Sequence, residues 1–390
     1  MAGCVLSSQN RVYVEAESSY GSAPVITAAD RVPVIRLEVR QGREAPERRD
    51  KTGSRTYAGT PAGGRKRTEF GLQTYLVTNP SPGSAPAYGR LIQAALGAGP
   101  LTFGGGTAGS GSTATQVVFS GSHGLAKRQA FGFNGEIRFV TEVVNPTTVQ
   151  VNAPFSSAPA SGNALTAAVT YFPADELPSL SVFDYWDPAN AVDRIVAGAA
   201  CDRMQVRING DYHELEFSGA AQDVIDSVSF EAGQGGLGSF PSEPSIGAGL
   251  PQLVPGNLGQ AWLGSPSSRF QTVTSAVVEV INGLDLRARE FGSALPQCVG
   301  AGTRRVLAGV ELLEEDDVQT RDLYGAARSE TPISVMFQLG QAVGQLMGVY
   351  LPSVIPEVPE FDDGEPNLKW SFTDLRAQGQ ASDEIAVAVG

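Results

Sequence analysis

Histidine and cysteine are scarce in this sequence of 390 residues, which holds two histidines and three cysteines. Cys4, Cys201 and Cys298 are far apart and form no CxxC or Cys/His ligand pattern, so we expect neither a disulfide framework nor a zinc site. Free cysteines suit a protein that is made in a reducing cytoplasm. No nucleophile pairs with a histidine in a recognisable pattern. We therefore interpret His123 as a polar loop residue and His213 as the exposed side of a strand.

Charge is scarce too, because Asp, Glu, Lys and Arg make up only 18% of the chain. The net charge of −13 argues against a nucleic-acid reader, which normally carries a basic face. The glycine-rich stretch GGGTAGSGST lacks the Gly-Lys-Ser/Thr ending of a phosphate-binding loop, and the acidic DDGEP lacks the ligand spacing of a calcium loop. The sequence therefore predicts no catalytic residue, no metal site and no cofactor, and we expect a protein that is not an enzyme.

A membrane span and a secretion signal are also not expected. The chain does not open with a basic segment followed by an apolar run. Residues 331–356 carry no charge, and Gly340, Gly344 and Gly348 have the spacing of a membrane helix-packing motif. Glutamines and prolines interrupt this segment, and its first part, ISVMFQL, alternates as a strand does. We predict strands here.

The sequence is rich in turn-forming residues, with 46 glycines, 25 prolines and 42% apolar residues. Many short strands joined by turns produce this balance, so the predicted fold class is mainly β, with short flanking helices and long loops. One short helix is predicted over residues 88–96, ending at Gly97, and the dipeptide Asn209-Gly210 predicts a hairpin. Strands are predicted within residues 31–39, 66–77, 131–143, 147–155, 164–172, 202–219, 272–283, 302–313, 331–340 and 366–374, while the acidic segment PEVPEFDDGEP is predicted to be a loop.

A proline-punctuated stretch near residues 173–190 predicts a boundary between two β-domains. The first, residues 1–180, contains a basic loop at 40–67 and a Gly/Ser-rich insertion at 99–124; the second, residues 190–390, contains a Gly/Pro-rich segment at 231–268 that we expect to cross the surface.

Two parts of the chain resemble each other. LEVRQGREAPERRD, starting at Leu37, is similar to VEVINGLDLRAREF, starting at Val278. GRKRTEFGLQTYL, starting at Gly64, is similar to GTRRVLAGVELL, starting at Gly302, and the spacing between the two similarities is nearly the same. The pattern predicts a tandem duplication of one β-domain. Chance similarity of two strand–loop–strand units is the alternative.

Charge is segregated along the chain. Between Arg36 and Arg67, ten basic residues stand against four acidic ones, a net +6 in a chain of −13, and acidic runs follow in ELLEEDD and PEVPEFDDGEP. Complementary patches set partner and register. We therefore predict inter-subunit contacts at Arg40, Arg43, Arg48, Arg49, Lys51, Arg55, Arg65, Lys66, Arg67, Glu314, Glu315, Asp316 and Asp317. A solvated basic loop and DNA binding by this segment are the alternatives.

Several segments resemble the tail tube proteins of bacteriophages. The opening EAESSYGSAPV is similar to the N-terminal signature of this family, and the later segments SAVVEVINGLDLRAREFGS, GTRRVLAGVELLEEDD, SVMFQLGQAVGQLMGVYLPSV and SDEIAVAV are similar to its C-terminal part. The likeness covers most of the chain and is most specific over residues 270–390. It implies β-sandwich or barrel domains of the tail-tube type, each with a flanking helix.

The resemblance also implies a function. The chain would be the structural subunit of the tail tube of a long-tailed phage, located in the virion and synthesised in the bacterial cytoplasm. Six domains would form a ring, supplied by three duplicated chains with pseudo-sixfold symmetry or by a hexamer, and stacked rings would form the tube. Implied partners are the chain itself, other tail proteins at the tube ends, and DNA that passes through the lumen without specific binding. We expect an acidic or neutral lumen, because bound phosphates would hinder sliding.

Two other interpretations stay open. A terminator or distal tail ring protein would share the fold. A carbohydrate-binding or adhesin-like protein of the virion surface would need an aromatic groove, whereas Trp186, Trp262 and Trp370 are scattered in the sequence. Abundance in purified particles separates these interpretations, since a tube subunit is among the most abundant proteins.

Overall fold

The computed structural model describes residues 4–44, 49–56, 59, 64–246, 251–364 and 366–390. Strands account for 45% of the structure and helices for 8%. This composition confirms the predicted mainly β fold class. Within the described residues, none of the helices combines the length and the apolar character needed to span a bilayer.

The described elements are mostly short strands. The helices are α1 (Gly89–Leu96) and α2 (Val318–Arg328), with 3-10 turns at Ser7–Gln9, Ala28–Asp30 and Gln234–Gly236. The strands are β1 (Arg11–Ala16), β2 (Arg31–Val32), β3 (Val34–Arg43), β4 (Lys66–Tyr75), β5 (Leu101–Phe103), β6 (Gly106–Thr107), β7 (Gln116–Val118), β8 (Ala130–Phe133), β9 (Glu136–Asn145), β10 (Thr148–Val151), β11 (Ala164–Leu165), β12 (Ala168–Tyr171), β13 (Leu180–Tyr185), β14 (Arg194–Ile208), β15 (Glu214–Ala221), β16 (Asp223–Asp226), β17 (Gly259–Gly264), β18 (Ser268–Phe270), β19 (Val273–Ile281), β20 (Asp285–Arg287), β21 (Cys298–Gly300), β22 (Arg305–Leu313), β23 (Ile333–Leu339), β24 (Met347–Ile355), β25 (Glu360–Asp362), β26 (Lys369–Ala377) and β27 (Ala386–Val389).

Eight strands form what we call the long sheet, in the order β3–β4–β15–β14–β19–β22–β26–β25. All of these pairs are antiparallel. Successive side chains of a strand point to opposite faces: on β4, Phe70 and Leu72 are buried, while Glu69 and Gln73 are only partly buried. The long sheet therefore has an apolar face and a polar face.

A second sheet packs against the apolar face, in the order β18–β17–β23–β24–β27–β12–β5. The main hydrophobic core joins Phe217 and Val278 of the long sheet to Phe337 and Val349 of the second sheet. Helix α1 contributes most of its length to this core. The two sheets form a β-sandwich, because each has one apolar face to bury. The N-terminal half of β14 leaves the long sheet and pairs with β13 and β16.

A third layer, which we call the satellite sheet, consists of β7–β10–β9–β8. It has a core of its own, in which Phe131 packs against Phe119 and Phe155. Another cluster attaches it to the outer face of the second sheet, where the ring of Phe139 stacks on Tyr350 at a centroid distance of 5.3 Å. The satellite sheet and the polar face of the long sheet therefore lie on opposite sides of the sandwich.

Most predicted elements are present with small shifts of their ends. The predicted helix is α1, and it ends at Gly97, whose φ of 111° suits a residue without a side chain. The predicted hairpin joins β14 to β15, with Asn209 at φ 66°. The segment 331–356, weighed above as a membrane helix, forms β23 and β24.

Two predictions about local structure are wrong. The segment PEVPEFDDGEP, predicted to be a loop, contains β25, because Phe361 packs against the ring of Trp370 and holds the backbone beside β26. His213, predicted to be exposed, is only 1% exposed. It precedes β15 rather than lying within it, and its Nε2 is 3.1 Å from the carbonyl oxygen of Leu258 in the segment that covers it. Burial lowers the pKa of His213.

The two halves of the chain repeat one order of elements: strand, long connection, strand, helix. β3, β4 and α1 follow this order in the first half, and β19, β22 and α2 follow it in the second. A third strand then pairs antiparallel with the second one, β15 with β4 and β26 with β22. The sheet crosses the boundary predicted near 173–190, because β14 and β15 follow that boundary in the chain and complete the first half of the long sheet. The duplication and its boundary stay predictions.

Candidate functional site

The polar face of the long sheet is rich in charge of both signs. Strand periodicity puts the residues that alternate with buried core residues on this face. Its cationic side chains are Arg36, Arg40, Arg67, Arg203, Arg207, Arg305, Lys369 and Arg376, and its carboxylates are Glu38, Glu69, Glu214, Glu216, Glu279, Glu311, Glu360, Asp362 and Asp374. The two signs are nearly balanced, so the face is close to neutral although the chain is acidic.

Most charges of the polar face are paired. Three ion pairs join neighbouring strands: Arg207 with Glu216 at 3.1 Å, Lys369 with Glu311 at 2.7 Å, and Arg203 with Glu279. Two more join residues two positions apart on one strand, Arg67 with Glu69 at 2.9 Å and Arg36 with Glu38. Cross-strand pairs of opposite charge stabilise a sheet modestly, and like charges in those places would destabilise it.

Glu311 illustrates how tightly these carboxylates are held. Its side chain accepts hydrogen bonds from Lys369 and from the Ser275 hydroxyl, the latter at 2.8 Å. These bonds, with Lys369 as the larger contribution, hold the pKa of Glu311 below its usual range. The carboxylate is therefore ionised, and its pairing with Lys369 is present, throughout the neutral pH range.

The predicted basic contacts gather at one end of the long sheet, which we call the basic end. Arg40 and Arg43 lie in the last part of β3, and Lys66 and Arg67 begin β4, so the connection between these strands leaves from this end. Arg49, Lys51 and Arg55 belong to that connection and are exposed. Arg48 lies outside the described residues. The connection from β19 to β22 leaves from the same end, since Ile281 pairs with Arg305.

The two connections touch each other at the basic end. The backbone N–H of Lys66 donates to the Ala294 carbonyl at 2.9 Å, and Arg65 donates to the Arg289 carbonyl at 3.3 Å. Lys66 also pairs with Asp223 at 3.1 Å. Arg65 and Lys66 therefore have partners within the chain, whereas Arg40 makes no ion pair with any described residue.

The predicted acidic contacts lie at the opposite end, which we call the acidic end. Glu314, Glu315, Asp316 and Asp317 follow the last residue of β22, and β25 with its acidic side chains ends beside Lys369, the first residue of β26. Strands of about ten residues separate the two ends by roughly 30 Å. The two sets of predicted contacts are therefore not brought together within one chain.

Two of the four acidic residues have structural roles inside the chain. Asp317 caps α2, because its carboxylate accepts a hydrogen bond from the Thr320 N–H at 2.7 Å. Glu314 accepts a hydrogen bond from the Trp370 indole at 3.0 Å. Glu315 and Asp316 are exposed. These two remain as surface charges that a partner could reach.

The long sheet has two edges that no described strand covers. β3 pairs only with β4, and β25 pairs only with β26, among the described residues. The polar-face side chains of β3 include Arg36 and Arg40, while those of β25 are Glu360 and Asp362. An open edge presents unpaired backbone N–H and C=O groups to another strand. One edge of this sheet is mostly basic and the other is acidic.

Arg138 is the largest charged side chain in the interior. It is 0% exposed, pairs with Glu136 at 2.8 Å, and lies between the rings of Phe155 and Trp262. It also donates to the side-chain oxygens of Gln338 and Gln260 on the second sheet, each at 2.9 Å. Burial lowers the pKa of Arg138 to about 10. Arg138 thus joins the satellite sheet to the sandwich.

Sequence reasoning missed the carboxylates of the polar face. Glu216 and Glu279 stand alone among apolar neighbours in the sequence, so no charge run marked them. The alternation within β4, β15 and β19 was the available signal, since it puts every second residue on one face. The acidic strand β25 was not predicted, because it lies in a proline-rich segment and prolines indicate a loop.

Taken together, these surfaces define a mainly β protein with a charge-paired sheet face, two open sheet edges of opposite charge, and two ends of opposite charge. Comparison with models of known protein families gave no match, and a search of the curated proteins gave none either.

Proposed function

We propose that the chain is the structural subunit of a phage tail tube, which assembles into rings that stack into a conduit for DNA. The observation that carries this proposal is the pair of open edges on the long sheet. Because the sheet has eight antiparallel strands, β3 at one edge and β25 at the other run in opposite directions. A cyclic ring keeps every copy in the same orientation, so β25 of one copy meets β3 of the next as an antiparallel pair. The mostly basic edge of one copy then meets the acidic edge of the next, with the copies staggered along the strands as in other closed sheets, because Arg40 lies towards the basic end and β25 lies at the acidic end.

The charge of the two ends supports stacking of such rings. The basic end of one ring would meet the acidic end of the next, which is a head-to-tail contact that repeats without closing and so produces a filament. The polar face then lines the channel and the satellite sheet lies outside. The repeated order of elements supports a ring of three chains with pseudo-sixfold symmetry. The role is structural and not enzymatic.

The alternatives receive less support from the described residues. A terminator or distal tail ring would use the same edges to form a ring. It would not need two ends of opposite charge, because identical rings would not have to stack on each other. An adhesin would need an exposed groove lined with aromatic side chains. Trp262 lies under the satellite sheet, Trp370 lies in the main core, and Trp186 lies near Val192 at a separate surface.

The purified chain should assemble by itself. We expect rings with the mass of three chains in mass photometry, and tubes with six-fold features in rotational power spectra of negatively stained cross-sections. Pairing of β3 with β25 of the next copy would close the ring, and attraction between the basic end and the acidic end would stack rings into a tube. Rings of six whole chains would contradict the trimer, and a chain that stays monomeric at every salt and concentration would contradict the proposed function.

The basic connection between β3 and β4 should act as a clasp between rings. Reversing its charge with Arg48→Glu and Arg49→Glu should weaken tube formation at moderate salt and leave single rings intact, because the acidic end of the next ring would then repel it. Tube length and ring mass can be measured by electron microscopy and mass photometry. The matched control is Lys127→Glu with Arg269→Glu, two exposed positions away from the connection. Tubes of unchanged length in the first variant would count against the clasp.

A further inference from the structure

The polar face contains many cationic side chains, which is unexpected for a wall past which DNA must slide. A guanidinium binds phosphate well, because its fork of donors matches the oxygen geometry. On this face, however, the carboxylates of five residues pair with a cation each. We call them the guard carboxylates: Glu38, Glu69, Glu216, Glu279 and Glu311.

We propose that the guard carboxylates keep the five cationic side chains with which they pair, Arg36, Arg67, Arg203, Arg207 and Lys369, from binding DNA phosphates. This inference rests on the proposed function, because it assigns the polar face to the lumen. A phosphate that approached Arg207 would have to displace Glu216, and it would meet that carboxylate's negative charge while doing so. The gain from a new ion pair would be offset by the loss of the existing one.

Pairing avoids two problems that a face with charges of one sign would have. Like charges on neighbouring strands repel, so a sheet lined only with carboxylates would be destabilised. A face lined only with cations would bind DNA along the whole tube, and each contact would add salt-dependent affinity. Ion pairs between neighbouring strands stabilise the sheet, and they leave little net positive charge on the face to attract a polyanion. The described geometry has this arrangement on β14, β15, β19, β22 and β26.

The guard role predicts that removal of carboxylates alone makes the face bind DNA. The guard variant is Glu69→Gln, Glu216→Gln and Glu279→Gln, which removes the carboxylate partners of Arg67, Arg207 and Arg203. If each released cation contacts one phosphate, duplex binding should gain a slope of about 3 × 0.9 in log affinity against log salt. Between 50 and 200 mM salt, its binding should then weaken by roughly 40-fold.

Two controls separate the guard role from a simple change of net charge. The charge control, Glu176→Gln, Glu231→Gln and Glu330→Gln, neutralises three exposed carboxylates outside the polar face. The paired control adds Arg67→Gln, Arg203→Gln and Arg207→Gln to the guard variant, so that no released cation remains. Neither control should bind DNA more tightly than the unaltered chain.

The experiment measures fluorescence anisotropy of a labelled 20-base-pair duplex at several salt concentrations, with thermal unfolding of every variant measured in parallel. A gain in the guard variant alone is the expected result. Equal binding by the guard variant and the charge control, or no gain in either, would overturn the inference. If the guard variant unfolds, Glu216→Gln alone serves, since this pair is the most exposed of the cross-strand pairs, and its slope should rise by about 0.9. Failure of the unaltered chain to form rings would instead refute the proposed function, whatever the anisotropy shows.

Discussion

Arg36→Glu combined with Arg40→Glu should abolish ring formation without unfolding the chain. Both residues are exposed on the open edge of β3, so their substitution leaves the core unchanged. In the proposed ring their edge meets the acidic edge of the next copy, which carries Glu360 and Asp362, so the reversed charges would make both edges of the contact negative. Like-charge contacts across an interface cost several kcal/mol. Since each 1.4 kcal/mol or so is a tenfold change in affinity, rings should become at least tenfold rarer at a given concentration.

A charge swap makes this prediction specific. Adding Glu360→Arg and Asp362→Arg to the same chain restores opposite charges on the two edges, and rings should return in mass photometry. The control, Arg305→Glu with Arg376→Glu, makes the same change of net charge at exposed positions on inner strands of the same sheet and should keep its rings. Loss of rings in this control as well would show that net charge, rather than edge pairing, governs assembly, and a charge swap that fails to restore rings would contradict the edge pairing.

Arg138→Ala should be the most destabilising single substitution considered for this chain. It leaves the Glu136 carboxylate buried, at 4% exposure, without its cation. It also removes the donors to Gln260 and Gln338 and the contacts with two aromatic rings. Removing one partner of a buried ion pair typically costs about 3–5 kcal/mol. The midpoint of urea unfolding, followed by the intrinsic fluorescence of the three tryptophans, of which Trp262 contacts the guanidinium, should fall accordingly.

The paired variant Glu136→Gln with Arg138→Met distinguishes an unpaired charge from lost packing. It removes both charges and fills part of the space, so it should cost clearly less than Arg138→Ala. Arg321→Ala, at an exposed position on α2, serves as the control and should change stability by no more than about 0.5 kcal/mol. Arg138→Ala with a cost near that of the control would show that the satellite sheet does not depend on this ion pair.

The same ion pair predicts how stability depends on pH. Burial by itself raises the pKa of Glu136, but the charge of Arg138 and hydrogen bonds from Ser156 and Gln260 outweigh it and hold that pKa below its usual value. The pair therefore contributes stability that is present above the ordinary pKa of a glutamate. That contribution is lost as the pH falls through the lowered pKa.

The strands were predictable because they alternate. In β19 and β22, the buried residues are alternate residues and all are apolar, and alternation depends only on local sequence. The pairing of β15 with β4 was not predictable, since it joins segments about 140 residues apart in the chain and spans a proline-rich stretch that looked like a boundary. Local patterns determine the elements, and contacts between distant segments determine which of them become neighbours.

The charged positions were likewise predictable where the signal is local in the sequence, and not where it depends on distant segments. The basic segment was evident as a run, and its location at one end of the sheet follows from the strands on either side of it. Arg138 was not evident, because its setting is made by Gln260 and Gln338, which are distant in sequence and converge only in the folded chain. His213 was assigned to the wrong side because its polar character was taken as a sign of exposure, whereas the alternation of β15, continued back from Leu215, puts it on the buried face.

The separate core of the satellite sheet has a consequence for engineering. Its turn at Ser110 and Gly111 is exposed, and a side chain added at Gly111 would meet no atom within 4 Å. A short peptide inserted there would disturb neither the main core nor the open edges, which belong to other layers. In a tube assembled as proposed, each chain would carry one such peptide outward, so the particle would become a regular scaffold for antigen display.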